Sequence, residues 1–229
     1  KITGHSLSRL GGNVSNAGDF NGDGINDFIL GAWSSDAAGV TDSGSAYVIY
    51  GKTNGSNLSL AADGSIDAAD GIRLTGAAFN AAGRSVSGAG DVNGDGLADV
   101  IVGANGSSTG SGGGGYVIFG GATGGDMTTL TNNGKGFKIN AFSANGHRLG
   151  TVVSSLGDVN GDGLADVALS TDSDQSTSSV YVVYGRSTPS AVNLTTGNAI
   201  QASDGFRIYG STANLIELSQ VSSAGDVNG

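Results

Sequence analysis

Apolar residues in this chain come in short runs of about five, separated by Gly, Ser, Asn and Asp. Clear examples are Val100-Ile-Val-Gly-Ala104 and Ala46-Tyr-Val-Ile-Tyr-Gly51. Runs of that length bounded by turn residues predict β-strands, and no window carries a convincing helical period. The runs also recur. One landmark is Gly12–Gly18, Arg84–Gly90 and Thr151–Gly157, and a second is Phe28–Ala32, Val100–Ala104 and Val167–Ser170. A third is Ala46–Gly51, Gly115–Gly120 and Val180–Gly185, and a fourth is Gly71–Gly76, Gly136–Asn140 and Gly205–Gly210. In the second repeat the strands are expected near 84–89, 99–104, 115–119 and 136–140. The second strand reads as apolar on both faces, and the first and third alternate more. Four short strands per repeat make the blade of a β-propeller, in which small sheets stack radially. The expected fold is therefore all-β, with three full repeats and a partial fourth.

Between second and third strands lie the variable segments 33–44, 105–114 and 171–179, and between third and fourth strands 52–70, 121–135 and 186–204. Variable loops on a fixed scaffold are where binding specificity is expected. Ser107–Gly115 reads as an exposed flexible loop, because it lacks the Lys and following helix of a phosphate cradle.

One stretch recurs almost letter for letter between first and second strands. It is Asp19-Phe-Asn-Gly-Asp-Gly-Ile-Asn-Asp27, Asp91-Val-Asn-Gly-Asp-Gly-Leu-Ala-Asp99 and Asp158-Val-Asn-Gly-Asp-Gly-Leu-Ala-Asp166. A fourth begins at Asp226 and Asn228, and successive starts are 67 to 72 residues apart. Oxygen-bearing side chains occupy positions 1, 3, 5 and 9, and Gly at position 6 permits a turn that brings the position-7 carbonyl inward. This is a ligand set for Ca²⁺, which takes six to eight oxygens. The candidate ligands are Asp19, Asn21, Asp23, Ile25 and Asp27; Asp91, Asn93, Asp95, Leu97 and Asp99; Asp158, Asn160, Asp162, Leu164 and Asp166; with Asp226 and Asn228 as a partial set. An isolated Asp-Asn-Gly-Asp-Gly run is only a turn signal, but a turn needs no carboxylate at position 9. An EF-hand is excluded, since its bidentate Glu at position 12 is replaced here by Leu30, Val102 or Leu169. Calcium suits the set better than magnesium, and zinc is disfavoured with no Cys and two His.

Composition agrees. The chain has 229 residues, with 43 Gly, one Pro and no Cys, enough for one large all-β domain rich in tight turns. Net charge is −10, and of 20 acidic residues only Glu217 is Glu. Nine of the Asp lie in the three complete loops, so acidity concentrates where a cation would bind. No basic stripe marks a nucleic-acid partner, and no stretch is apolar enough for a membrane helix. Millimolar extracellular calcium would fill weak sites, so an extracellular or cell-surface setting is expected.

At these residues the chain resembles the FG-GAP repeat family, the blades of integrin α-subunit propellers and their bacterial extracellular relatives. The name-giving pairs stand as Leu10-Gly11, Ala82-Gly83 and Leu149-Gly150, and as Gly31-Ala32 and Gly103-Ala104. Ser170-Thr171 replaces the second pair in the third repeat, and Leu218 replaces the Gly of the first pair in the fourth. The resemblance spans nearly all of residues 1–229, with repeats at about 5–76, 77–142, 143–210 and a partial 211–229. It implies a seven-bladed propeller, calcium loops between first and second strands, and a ligand-binding face formed by other loops. No inserted adhesive domain of the integrin type is present, so integrin ligand specificity does not transfer. Lys1-Ile-Thr-Gly4 aligns with Arg207–Gly210, so the expectation is a fragment of a longer chain, or copies that associate through open blade edges.

No catalytic constellation is read. His5 and His147 fall at different repeat positions and have no nucleophile in order. Trp33 opens a variable segment and reads as a packing aromatic or a ligand platform. Tyr47, Tyr116 and Tyr181 recur at one repeat position, which marks structure. Asn13, Asn54, Asn57, Asn105 and Asn193 open Asn-x-Ser/Thr triplets, which composition alone would produce. The leading expectation is an extracellular calcium-binding propeller that binds protein or glycan in adhesion or surface assembly. The alternatives are the non-catalytic propeller portion of an extracellular hydrolase, and a purely structural surface array.

Overall fold

The computed structural model describes residues 2–3, 9–36, 39–106, 113–142, 148–171, 178–195, 197, 199–209 and 220–225. It is nearly all-β, 42% strand and 3% helix. In chain order, β1 is Ile2–Thr3. The first repeat supplies β2 (Val14–Gly18), β3 (Asp27–Ala32), β4 (Ser45–Ile49), β5 (Leu58–Ser59) and β6 (Gly71–Thr75). The second supplies β7 (Ala82–Gly90), β8 (Asp99–Ala104), β9 (Gly114–Ile118), β10 (Gly125–Asp126), a helix α1 (Met127–Asn132) and β11 (Gly136–Asn140). The third supplies β12 (Val153–Gly157), β13 (Asp166–Ser170), β14 (Ser179–Val183), β15 (Val192–Asn193) and β16 (Gly205–Tyr209).

Each repeat folds into an antiparallel meander of four strands: β2-β3-β4-β6, β7-β8-β9-β11 and β12-β13-β14-β16. These are the expected blades. Three short strands were not legible in the sequence. β10 and β15 lie in the variable segments of the second and third repeats, yet they pair in parallel with β6 and β11 of the preceding blade. β5 pairs with β1 in the same manner. Each of these two-residue strands thus ties one repeat to the outer strand of the repeat before it.

The helix α1 is a short addition to the expected all-β pattern, in a chain where no window carries a convincing helical period. Asp126 caps it, its side chain accepting the Thr129 N–H at 2.8 Å, and Met127 and Leu130 are its buried residues. Two apolar residues three apart are too few to register as a period, so tertiary burial decides the helix. One correction concerns the third strands. β4, β9 and β14 are buried along their whole length, like β8 and β13, because their outward faces are covered as well. Gly114 and Gly115, read as the end of a flexible loop, begin β9, while residues 107–112 lie outside the described residues.

The alternation along β8 shows how blades share cores. Val100, Val102 and Ala104 join Ile29, Val48 and Leu74 of the first blade. Ile101, one residue out of phase, joins Val117, Val167 and Leu169. One strand thereby serves two hydrophobic seams. The recurring tyrosines Tyr47, Tyr116 and Tyr181 are each at most 1% exposed, as structural residues should be.

The paired glycines of the repeat find their reason at the seam. A Cβ on Gly31 would lie 2.0 Å from the Gly83 carbonyl oxygen, and one on Gly103 would lie 2.2 Å from that of Gly150. Neighbouring blades touch backbone to backbone there, and no side chain fits. Gly103→Val should therefore destabilise the protein by at least about 1–3 kcal/mol in urea unfolding. Gly55→Ala, where a Cβ meets nothing within 4 Å, should be neutral within experimental error. Equal stability of both variants would remove this explanation of the glycine pairs.

Candidate calcium loops

Each candidate loop joins the first and second strands of its blade, so all three stand at the same end of consecutive sheets. The register of each strand pair shifts just before the loop, at Asn16/Gly18, Gly88/Gly90 and Ser155/Gly157, and that bulge turns the chain out of the ladder.

In the second loop, Asp91 Oδ1 accepts the N–H groups of Gly94 and Asp95 at 2.7 and 3.1 Å, and its Oδ2 accepts that of Gly96 at 2.9 Å. Asn93 Oδ1 accepts the Asp95 N–H at 2.8 Å, and Asp95 Oδ1 accepts the Leu97 N–H at 2.9 Å. Asn93 Nδ2 donates to Asp95 Oδ2 at 2.8 Å. The first and third loops repeat these bonds on Asp19, Asn21 and Asp23 and on Asp158, Asn160 and Asp162. Positions 1, 3 and 5 are thus gathered around one turn. The glycine at position 6 has φ of 85°, 88° and 89° at Gly24, Gly96 and Gly163, as the turn was expected to demand.

Position 9 behaves differently. Asp27, Asp99 and Asp166 are only 2%, 0% and 0% exposed. Asp99 Oδ2 accepts the Val92 N–H at 2.8 Å, and its Oδ1 accepts the Gly120 N–H, also at 2.8 Å. Asp27 makes the same bonds to Phe20 and Gly51, and Asp166 to Val159 and Gly185. The carboxylate therefore fastens the start of the loop to the end of the third strand. This corrects the argument that a turn has no use for it, since backbone N–H groups of the loop and of the third strand's end both bond to it. The anchoring glycines were the part missed. Their signal was the Gly that closes each third-strand landmark.

Among the described residues, no group of three or more Asp, Glu or His side chains stands as a ready cation cluster. The loops are closed on themselves by hydrogen bonds. The donor set nonetheless fits a hard cation. A carboxylate offers about four lone-pair sites, of which Asp91 uses three and Asp95 and Asp99 two each. Every potential donor is oxygen, with the carbonyls of Ile25, Leu97 and Leu164 at position 7. Asp226 and Asn228 lie outside the described residues, as do His5 and His147.

Adjacent loops also touch. Ala98 N–H donates to the Asp19 carbonyl at 3.1 Å and Ala165 N–H to the Asp91 carbonyl at 2.9 Å, so position 8 of one loop holds position 1 of the loop before. Phe20 and Val92 are fully buried, but Val159 of the third loop is 48% exposed.

The family model for the FG-GAP repeat matches residues 82–120 and 149–183. These two segments are FG-GAP repeats. Each FG-GAP segment runs from the first strand through the third and contains one complete loop, while the fourth strands lie outside it. Among curated proteins no relative matches the chain. The first blade has the same strand order as the two FG-GAP segments.

Burial is the main influence on the position-9 carboxyls. It raises all three above the ordinary value, Asp99 to about 7, against the opposing pull of the Gly120 and Val92 N–H groups. Repulsion from neighbouring carboxylates adds to the rise but is the smaller cause. Asp158 moves the other way, held below the ordinary value chiefly by the Gly163 N–H.

A folded pKa above the unfolded value means that the protonated form is the better tolerated in the fold. The stability it lends is fully present below about pH 4 and is lost as pH rises through about 7. In calcium-free solution the protein should thus melt higher at pH 5 than at pH 8, and Asp99→Asn should flatten that slope. Melting curves across that range check it, and an unchanged slope in Asp99→Asn would refute the assignment. Gly96→Val should destabilise the loop through φ alone, as a Cβ there meets nothing within 4 Å. Gly96→Asn, a residue that tolerates positive φ, should be milder in the same melting assay.

Proposed function

We propose that this chain is a run of calcium-stabilised propeller blades serving outside the cell as a non-catalytic binding module for a protein or glycan. The observation that carries the reading is one oxygen set, repeated at the same end of three consecutive sheets, each time beside a buried carboxylate. Each set holds three carboxylates. A bound Ca²⁺ would neutralise two of their charges, relieve the cost of burying position 9 and add no chemistry of its own. Because the ion favours the folded loop, it stabilises by mass action, about 2.7 kcal/mol per site at a hundredfold excess over the dissociation constant. Three ions would take the net charge from −10 to about −4. The loop-to-loop bonds from Ala98 and Ala165 would pass that order from blade to blade. Extracellular calcium levels support the setting.

The blade edges support association with further blades. Phe206, Ile208 and Tyr209 of β16 are 42%, 56% and 67% exposed, whereas Leu74 of β6 and Ile139 of β11 are fully buried under the following repeat. Ser223 Oγ donates to the Leu156 carbonyl at 3.3 Å, as Ser155 Oγ does to that of Ala89 at 3.0 Å. The reading sets residues 220–225 at the start of a fourth blade, completed by the same chain or by a second copy. Free amide exchange at 220–225 together with a strictly monomeric chain in sedimentation would overturn it. Among the described residues no helix is long and apolar enough to cross a membrane.

Calorimetry should find three calcium sites, and Asp95→Ala should leave two. Chelation should lower the melting temperature of the wild type more than that of Asp95→Ala. With calcium present the pH trend should reverse, because protonation of the ligands releases the ion and acid then destabilises. Equal melting temperatures with calcium and with chelator would reject the structural role and leave the loops as hydrogen-bonded turns.

A further inference from the structure

Trp33 is the only tryptophan in the chain. It directly follows β3, at the end of the first sheet opposite its candidate calcium loop. Two guanidinium groups lie over its ring, that of Arg9 at 4.7 Å from the centroid and that of Arg84 at 5.3 Å. Arg9 precedes β2 of the first blade and Arg84 sits on β7 of the second, so the cluster straddles a blade seam. Both arginines are exposed and Trp33 is half-buried.

These two arginines differ from three others. Arg73, Arg186 and Arg207 also stack on rings, but each donates to protein acceptors as well. Arg73 bonds Ser45 and the Asp63 carbonyl, Arg186 bonds Asp204 and the Tyr184 carbonyl, and Arg207 bonds Ser179 and the Gly197 carbonyl. Arg9 and Arg84 donate to no acceptor among the described residues, and there no carboxylate stands within ion-pair distance of either. In a chain with 20 acidic residues and net charge −10, two cations have been brought to one ring with no counter-ion among the described residues. The repeat scaffold does not require this arrangement. The position of Trp33 is held by Asn105 in the second blade.

Stacking fixes a guanidinium plane while leaving its N–H edge directed at solvent, and each edge can take a carboxylate or sulfate bidentately. From the two ring distances the guanidinium carbons are at most about 10 Å apart. We propose that Arg9, Trp33 and Arg84 form a binding site for the oxyanion groups, carboxylate or sulfate, of an acidic glycan. Such a chain carries its charges on separate sugar rings, which suits two separated forks. Duplex nucleic acid, with one charge per about 1.7 Å, brings several charges against the acidic surface for each one a fork can take, more than a glycan whose charges sit on separate rings. The inference rests on the binding-module reading and adds the class of ligand; it requires nothing of the calcium loops.

The lone tryptophan is its own reporter. Trp33 fluorescence is titrated at low salt, with calcium present, against an oligogalacturonate, a heparin-derived oligosaccharide, a neutral dextran oligomer and inorganic sulfate. A saturable change is expected with at least one acidic oligosaccharide, weakened by added salt and absent with dextran. The carboxylate and sulfate arms identify which group is preferred. Arg9→Ala and Arg84→Ala should each weaken binding about tenfold or more, and Arg84→Lys less, with melting temperatures unchanged. No saturable response, or one indifferent to both alanine variants, would overturn the site. A response to inorganic sulfate as strong as to the oligosaccharides would overturn the glycan assignment. Each of these outcomes leaves the calcium titration of the loops as a separate result.

Discussion

Three buried carboxylates hold this architecture in register. Asp27, Asp99 and Asp166 sit where the loop returns to the second strand, each reaching back to the loop's own second residue and across to the glycine after the third strand. A buried carboxylate without donors would be prohibitively costly, and with two backbone donors it becomes a clamp between three segments. Its burial favours the neutral form, and a nearby cation would favour the charged one. The clamp and the candidate cation site are therefore a single object, and the loop's order bears directly on the sheet's.

The clamps are linked. Position 8 of each loop donates to position 1 of the loop before, glycine backbones meet at the seam, and the two-residue strands β10 and β15 reach back to the preceding blade's outer strand. Each blade alone is a four-stranded sheet with two apolar faces. Only a neighbour covers them, as the division of β8 between two cores shows. The third blade shows the consequence: among the described residues Val159 and Ile208 are exposed, whereas Val92, the counterpart of the first, and Leu74 and Ile139, the counterparts of the second, are buried.

Against a scaffold this repetitive, departures are informative. The helix α1 occurs in one repeat because Asp126 caps it and Met127 and Leu130 find a seam to fill. Trp33 with Arg9 and Arg84 also occurs once, and among the described residues its two guanidinium groups donate to no scaffold acceptor. The first departure serves packing. The second leaves polar donors facing water.

Much was legible from residues alone. The period, the four strands per blade, the loop at the same place in each, and the positive φ at Gly24, Gly96 and Gly163 all follow from local rules, because turn chemistry and period-two alternation act over a few residues. The interactions that decide burial are long-range. Nothing local distinguishes Val92 from Val159, which share a loop position but not a neighbour. Nothing local tells that β4, β9 and β14 are covered on both faces, that β10 will pair 51 residues back, or that Arg84 will meet Trp33 across a seam. The role of Asp99 is the clearest case. Its spacing marked it as a metal ligand candidate, but only the return of β9 beside the loop brings the Gly120 N–H to its second oxygen, and that bond forms between segments whose proximity no local pattern encodes.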